Sequence, residues 1–256
     1  MAKADWFSQS PHRVRMDWGW RGCSTAAARG DAIVIVDVLR FSTAVCAAAA
    51  RGVIVFPANQ RDDLHSMCIQ FDADHFAAGL APDMYQSAGS GWRVVLRSPN
   101  GATCVRLATA APVVMIGALV NRSAVAKCVR RILDDTKLNV TVIACGERWS
   151  DPSDDGELRF AIEDYLGAGS ILSRTHGDLS AEANACANAF SGASGLQELI
   201  ANCASGREQI DKDDRGSVEH AAMVDRYDVV PVLRDGWRLE ALADISEITS
   251  LAKNAR

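Results

Sequence analysis

The sequence predicts an α/β fold, in which a mostly parallel or mixed sheet is flanked by helices and the C-terminal portion is more helical. Two observations support this. Short apolar runs recur along the 256-residue chain, and amphipathic or alanine-rich stretches separate several of them. Strands that alternate with helices indicate a largely parallel sheet. One run, 32–36, is apolar throughout, which is typical of a strand buried on both faces.

The apolar runs predict six strands, at 32–36, 53–56, 93–96, 112–116, 140–144 and 229–233. The stretches between them predict helices at 43–51, 60–70, 102–108, 123–133 and 160–173. Between 179 and 224 the pattern is mostly helical, and the turn signal Asp235-Gly236 indicates a return to the sheet. We therefore predict an α/β core over 1–178, and over 179–256 a helical layer with a strand that returns to the core.

Composition and charge exclude several classes of protein. The chain forms one large or two small domains with a sizeable core. A net charge of -5 argues against a nucleic acid or an acidic membrane as partner. Residues 1–22 lack the apolar segment of a signal peptide, and no apolar run is long enough to span a bilayer. We therefore expect a cytoplasmic protein.

The cysteines and histidines show no metal-binding pattern. The eight cysteines include no CxxC pair, and we expect reduced, largely buried thiols. The five histidines are scattered without ligand spacing, and none is assigned a function. The apolar helical layer over 179–203 could supply an interface between copies, so a homo-oligomer stays an open alternative.

The richest chemistry follows the buried run 32–36. Asp37 comes directly after it, and Arg40, Ser42 and Thr43 open the next helix. Open α/β sheets bind ligands at the carboxyl ends of their strands. Free backbone N–H groups, hydroxyls and a guanidinium at a helix start suit a phosphate. Because a phosphate repels a neighbouring carboxylate unless a cation lies between them, the segment also indicates Mg²⁺.

Polar residues follow three more of the predicted strands. Asn100-Gly101, Asn121 and Glu147 come after the strands near 94, 113 and 140. Because the carboxyl ends of parallel strands lie side by side at one edge of a sheet, we expect all four polar groups to line a single cleft. The adjacent acids Glu163-Asp164, on a predicted helix, are candidates for a fifth contribution.

Each candidate also has a structural alternative. Asp37, Ser42 and Thr43 could cap the helix that follows them. Arg40 could form only a salt bridge with Asp37. Asn121 could cap the next helix, and the remaining candidates could be turn residues or solvated charges.

At these residues the chain resembles the 2-phosphosulfolactate phosphatase (ComB-like) family. Its motif VIDVLRATST is similar to residues 34–43, and its motif TTNGT is similar to 98–102. The pattern G…N…VA matches 117–126, and ED…GAG matches 163–169. Two segments near the end are also similar, 205–208 and 230–232. The ordered set covers most of the chain and resembles a divergent bacterial subgroup.

The resemblance implies a magnesium-dependent phosphatase that converts 2-phospho-3-sulfolactate to sulfolactate and phosphate, which in methane-forming archaea is a step of coenzyme M biosynthesis. Two departures bear on the substrate more than on the fold. A Gly-Glu-Arg-Gly-Gly-like loop of typical members has no counterpart in 77–91, and Pro99 and Ala102 replace threonines.

We predict metal-assisted hydrolysis of this small anionic phosphate monoester. Asp37, with Glu163 or Asp164, holds Mg²⁺, which polarises an attacking water. Arg40 neutralises the charge that develops on the phosphate, and Glu147 is the general acid for the leaving alkoxide. The residues that bind or orient the substrate are Arg40, Ser42, Thr43, Asn100, Gly101 and Asn121.

Several alternatives stay open at this point. Water could attack directly, or Asp37 could form an aspartyl-phosphate intermediate. The protein could act on another phosphorylated hydroxy acid, or bind a phosphometabolite without turnover. Cys145 could be the nucleophile for an acyl substrate, although nothing in the sequence lowers its pKa. The loops 81–91 and 147–156 are candidate lids.

Overall fold

A nine-stranded sheet organises the computed structural model, which describes residues 6–77, 88–149 and 158–254. Its strands are β1 (Val14–Trp18), β2 (Ala32–Val36), β3 (Ile54–Ala58), β4 (His75–Ala77), β5 (Arg93–Arg97), β6 (Val114–Gly117), β7 (Val140–Ala144), β10 (Pro231–Arg234) and β11 (Arg238–Ala241). A separate antiparallel ribbon consists of β8 (Glu147–Arg148) and β9 (Leu158–Arg159).

Helices flank the sheet, so the predicted α/β class is confirmed. They are α1 (Gly19–Ala28), α2 (Phe41–Ala49), α3 (Leu64–Phe71), α4 (Gly101–Leu107), α5 (Arg122–Asp135), α6 (Ile162–Leu172), α7 (Ala181–Gly192), α8 (Leu196–Asn202), α9 (Ala204–Asp211), α10 (Arg215–Ala221) and α11 (Glu247–Asn254). Every predicted strand and helix is present, β2 and β7 with the predicted bounds and the others with shifted ends, and the stretch 179–224 is mostly helical, as expected.

The last two strands lie in the middle of the sheet, whose order is β1-β7-β2-β6-β10-β11-β3-β5-β4. The hairpin β10–β11 pairs antiparallel with β6 on one side and with β3 on the other. Three residues, 235–237, separate the two strands, and Asp235 and Gly236 have φ of 53° and 77°, the positive values of a type I′ turn. The predicted division at residue 178 stays a prediction, although these strands join two groups of strands from the N-terminal part.

Strand β2 separates two apolar cores because successive side chains of a strand point to opposite faces. Val34 and Val36 pack into a core that includes residues of α5, α6 and α7. Ile33 and Ile35 pack into a second core with residues of α1, α2 and α4. All five residues of β2 are buried, which explains its uninterrupted apolar sequence.

The expected alignment of four strand ends at one edge holds for only three strands. The neighbours β7, β2 and β6 are parallel, so their carboxyl ends lie together. Strand β5 runs opposite to β2, because three antiparallel pairings intervene. The expectation of a common edge is therefore wrong for β5, since the inserted hairpin reverses the direction of the strands beyond it.

The sheet is nevertheless strongly curved. A flat sheet would place β5, five positions from β2, about 24 Å away. Instead Gly101, shortly after β5, donates its N–H to the Asp37 carboxylate at 2.9 Å. Residues of β2, β3, β5, β6 and β11 share one core with α2 and α4. The sheet therefore wraps around these two helices and brings the end of β5 to the end of β2.

The edge strand β1 and the helix α1 were not predicted. β1 pairs in parallel with β7, and its Arg15 is buried because the guanidinium meets the carboxylate of Asp31 at 3.3 Å. The same Asp31 accepts hydrogen bonds from Arg29 at 2.9 Å and from Thr141 at 2.8 Å. A buried ionic network thus ties α1 and β1 to the sheet.

The cysteines agree with the prediction. None of the eight forms a disulfide, and all except Cys68 are buried. Among the described helices, none is both long and apolar enough for a bilayer span. The predicted lid loops, 81–91 and 147–156, lie largely outside the described residues.

Replacing Asp31 with asparagine tests the buried network. The Asp31 side chain is 1% exposed, and Asp31→Asn leaves Arg15 as a buried cation without a charged partner. We expect a loss of about 3–5 kcal/mol in the free energy of unfolding, measured by urea denaturation. The control is Asp134→Asn, whose side chain is 60% exposed in its pair with His176, with an expected loss below about 1 kcal/mol. Equal losses in the two variants would contradict the network's importance.

Candidate active site

Asp37 lies where the ends of β2 and β5 meet. Its Oδ1 accepts the N–H of Phe41 at 3.0 Å, and its Oδ2 accepts the N–H of Gly101 at 2.9 Å. The hydroxyl of Ser98 lies 3.4 Å from Oδ2. The residue is only 5% exposed. Backbone N–H groups at the starts of α2 and α4 therefore hold this carboxylate in one orientation.

A side chain at position 101 would disturb this arrangement. A Cβ built on Gly101 would lie 2.3 Å from the Phe41 ring and 2.8 Å from Asp37 Oδ2. No real Cβ tolerates such distances, so the close approach of α4 to Asp37 requires glycine here. The N–H group of Gly101 is directed at Asp37. The predicted contact of Gly101 with the substrate stays a prediction.

The hydroxyls of Ser42 and Thr43 are bound inside the protein. Ser42 Oγ accepts the N–H of Asp37 at 2.9 Å and lies 3.2 Å from the Ile35 carbonyl. Thr43 Oγ1 donates to the Val38 carbonyl at 2.8 Å. Both side chains are fully buried. They hold the loop around Asp37 in place. Their predicted contact with phosphate stays a prediction.

Asn121 has a similar role at the end of β6. Its Oδ1 accepts the N–H of Ala118 at 2.9 Å, and its Nδ2 donates to the carbonyls of Ile116 and Val229. The side chain is fully buried and holds the segment before β10 against β6. Its predicted role in orienting substrate also stays a prediction.

Glu163 and Asp164 lie in the first turn of α6, against the ends of β2 and β7. Asp164 Oδ1 accepts the N–H of Val38 at 2.7 Å, and its Oδ2 accepts the N–H of Gly146 at 2.9 Å. Asp164 thus ties the two strand ends together. The neighbouring Glu163 is buried, and its charge acts on Asp37.

Glu147 and Asn100 complete the group of polar side chains around Asp37, Glu163 and Asp164, which we call the cleft. Asn100 Nδ2 donates to Glu147 Oε2 at 3.0 Å. The other amide atom, Asn100 Oδ1, is buried and has no hydrogen-bond partner among the described residues. An unpaired buried acceptor is unfavourable unless a ligand satisfies it, so this oxygen is available to a cation, a water or a substrate donor.

Arg40 interacts with Asp37 through its charge. Its guanidinium forms an ion pair with Asp214, the residue that caps α10. Burial lowers the pKa of Arg40, whereas the charges of Asp37 and Glu208 raise it. The alternative in which Arg40 forms only a salt bridge with Asp37 is therefore wrong, because its ion-pair partner among the described residues is Asp214.

Burial dominates the electrostatics of the carboxylates. It raises the pKa of Asp37, and the charge of Glu163 raises it further, against the hydrogen bonds from Phe41 and Gly101. Burial and then the charge of Asp37 likewise raise the pKa of Asp164 well above its usual value. The same two causes raise the pKa of Glu147 to about 7. The cleft therefore favours bound protons or a bound cation.

The oxygen donors of the cleft suit Mg²⁺. Among the described residues, no three His, Cys, Asp or Glu side chains are grouped so that they alone could hold a metal ion. Mg²⁺ needs less, because it keeps several waters and is usually held by one or two carboxylates together with substrate phosphates. The carboxylates of Asp37 and Glu163 and the unpaired Asn100 Oδ1 are donors of this kind.

Cys145 lies beneath the cleft and is fully buried. Burial and the charge of Asp37 raise its pKa to about 12. A nucleophilic thiol needs a lowered pKa and access to substrate, so the structure argues against the alternative in which Cys145 attacks an acyl group.

Two contributors were missed from the sequence. Asp214 stands in the charged run 211–215, which is typical of a solvated surface, and only the fold brings it to Arg40. Ser98 begins the segment 98–102 that resembles a family motif, but its contact with Asp37 depends on the curvature of the sheet. A local pattern contains no signal for either contact.

Comparison with known proteins identifies the family of the chain. A family model described as 2-phosphosulpholactate phosphatase matches residues 23–236. The chain belongs to this family. A relative from Carboxydothermus hydrogenoformans, named "Probable 2-phosphosulfolactate phosphatase", is 26% identical in an alignment of 221 residues that covers 80% of this chain and 87% of the relative. The resemblance stated from the motifs is confirmed, and both names indicate a phosphatase, as the sequence predicts.

Gly101→Ala tests the contact between α4 and Asp37. The added methyl group must displace either the Phe41 ring or the carboxylate, so we expect turnover to fall at least about tenfold, the loss for a small displacement of a charge-stabilising group. The control is Gly216→Ala in α10, where a Cβ would meet no atom within 4 Å. Turnover is measured by steady-state kinetics on folded protein. Normal turnover in both variants would disprove the requirement for glycine at position 101.

Proposed function

We propose that the protein hydrolyses a phosphate monoester, that the substrate is 2-phospho-3-sulfolactate, and that the reaction needs Mg²⁺. The observation that carries the proposal is the cluster of buried carboxylates around Asp37, faced by Arg40. Membership of the family and the name of the relative support the reaction class and the substrate. A cytoplasmic location, a homo-oligomeric state and a part in coenzyme M biosynthesis belong to the same proposal.

In this proposal Mg²⁺, when bound, neutralises phosphoryl oxygens and lowers the pKa of an attacking water. Asp37 and Glu163 hold the ion. Asp164 positions the ends of β2 and β7 through its two hydrogen bonds with backbone N–H groups. This arrangement needs no movement of the backbone when the substrate arrives, as electrostatic preorganisation requires.

Arg40 binds the phosphate opposite the carboxylates. One edge of its guanidinium pairs with Asp214, which fixes the side chain, and the remaining N–H groups can donate to phosphoryl oxygens. The positive charge stabilises the transition state, in which negative charge moves onto the leaving oxygen. Asp214 is therefore a positioning residue for Arg40.

Glu147 supplies a proton to the leaving alkoxide. With a pKa raised to about 7, much of it is protonated near neutral pH, as a general acid requires. Asn100 donates to Glu147 at 3.0 Å and thereby fixes the carboxyl group in the cleft.

Both oxygens of Asp37 accept backbone N–H groups, which favours a fixed ligand over a nucleophile that must rotate and bond to phosphorus. We therefore favour attack by water over an aspartyl-phosphate. Hydrolysis of another phosphorylated hydroxy acid is the second candidate, because Pro99 and Ala102 remove two hydroxyls that the family motif carries.

The first test is phosphate release from racemic 2-phosphosulfolactate, with Mg²⁺ and with EDTA. We expect release with Mg²⁺ and none with EDTA. Asp37→Asn should lower turnover at least about a hundredfold, as expected when a charge-stabilising group is lost. The control Cys145→Ala should keep near-normal turnover.

The outcomes separate the alternatives. Release only from other phosphomonoesters in a panel would replace the substrate and keep the reaction. Binding of a phosphomonoester without release would indicate a binding protein. Normal turnover of Asp37→Asn would disprove the site assignment, and loss in Cys145→Ala alone would favour the thiol.

Glu147→Gln tests the general acid through pH. Wild-type turnover should decline as pH rises through about 7, where Glu147 loses its proton, and the variant should be slow without this decline. The folded pKa lies above the usual value of 4.5, so ionisation of Glu147 costs stability between these pH values. The melting temperature of Glu147→Gln relative to wild type should therefore be higher at pH 8 than at pH 5. A constant difference would contradict the raised pKa.

A further inference from the structure

The start of α9 lies against the carboxylate cluster. Its N-cap residue Cys203 is buried and accepts the N–H of Gly206 at 3.2 Å. Burial and then the charge of Glu163 raise the pKa of the Cys203 thiol. The first turn of α9 therefore lies beside one of the two acids that we assign to the metal.

A second residue of α9, Glu208, interacts with Arg40. Glu208, one turn after Ser205, is close enough for its charge to act on Arg40. Residues three apart on a helix share a face, so Ser205 and Glu208 are neighbours on the surface of α9. On α9, Ser205 lies between Cys203, on which the charge of Glu163 acts, and Glu208, whose charge acts on Arg40.

Ser205 has no partner for its hydroxyl in the part of the chain that the structure describes. The residue is 2% exposed, and its Oγ forms no hydrogen bond there. Ser217 on α10 is 3% exposed and likewise has an unpaired Oγ, and its N–H group donates to Asp214, the ion-pair partner of Arg40. A buried hydroxyl without a partner is unfavourable, and one such hydroxyl on each of α9 and α10 indicates a place where a ligand supplies the acceptors.

We propose that Ser205, together with Arg40, binds the second acid group of the substrate, a carboxylate or a sulfonate. This inference rests on the proposed function, because that substrate carries both groups in addition to the phosphate. A hydroxyl donates readily to an anionic oxygen, and the positive end of the α9 dipole favours negative charge at this turn. Ser205 is thus a specificity-determining residue rather than part of the phosphoryl chemistry.

The experiment measures kcat/KM of wild type and Ser205→Ala with three compounds: 2-phosphosulfolactate, 2-phospholactate and the phosphate ester of 2-hydroxyethanesulfonate. We expect about a tenfold loss for 2-phosphosulfolactate, mainly in KM, as for a lost hydrogen bond to a charged group. Whichever of the two simpler compounds shows a similar loss carries the acid group that Ser205 contacts.

The control is Ser170→Ala on α6. Ser170 is also fully buried, but its hydroxyl donates to the Gly167 carbonyl at 2.6 Å. We expect Ser170→Ala to keep its kcat/KM and lose stability, whereas Ser205→Ala keeps or gains stability, because it removes an unpaired hydroxyl. A change below twofold for all three compounds, or equal losses in the two variants, would overturn the proposal.

Calorimetric titration with 3-sulfolactate, which has no phosphate, separates this inference from the proposed function. Binding that weakens about tenfold in Ser205→Ala supports the subsite even if the wild type releases no phosphate. Binding that Ser205→Ala leaves unchanged, or no binding to a wild type that hydrolyses 2-phosphosulfolactate, overturns the subsite and leaves the phosphatase proposal intact.

Discussion

The structure depends on keeping several carboxylates close together and largely buried. Four of them, Asp37, Glu147, Glu163 and Asp164, lie close enough for their charges to interact. Four backbone N–H groups from the loops after β2, β5 and β7 donate to Asp37 and Asp164. These bonds lower the pKa of each group, yet burial and repulsion still raise the net value. Burial and repulsion therefore destabilise the charged carboxylates by more than the backbone hydrogen bonds stabilise them.

That imbalance explains why the surrounding backbone is so constrained. Because each N–H group must reach a particular oxygen, the strand ends cannot shift independently. Asp164 joins the ends of β2 and β7, and Asp37 joins the ends of β2 and β5. The curvature of the sheet around α2 and α4 is a direct requirement of the second link. The glycine at position 101 is required for the same reason, since it lets α4 approach the carboxylate.

The sequence predicts the parts of this arrangement that depend on local burial. Strand β2 was predicted because all its residues face a core, and Asp37 was singled out because it ends that strand. Strand β1 was missed because the strands were predicted from continuous apolar runs, whereas β1 alternates apolar and polar residues. The burial of its Arg15 depends on the carboxylate of Asp31, which lies outside the strand. The direction of β5 is set by a hairpin more than 130 residues later in the chain, which no local pattern encodes. Similarly, Ser42, Thr43 and Asn121 have the residue types of ligands, and only their contacts show that they hold the loops.

Under the proposed function, the acidic cleft must change its charge before it accepts an anionic substrate. Protons can do this, since the raised pKa of Glu147 lets it stay neutral near pH 7. A divalent cation can do it as well, because it offsets the burial and the repulsion that raise the pKa of Asp37. A proton and a cation compete for the same oxygens, since a protonated carboxyl is a poor metal ligand. The proposed roles avoid this competition: Asp37, next to N–H donors, would hold the cation, whereas Glu147, with one amide donor, would hold the proton. The buried Asn100 lies between them, with its Nδ2 on Glu147 and its Oδ1 unpaired.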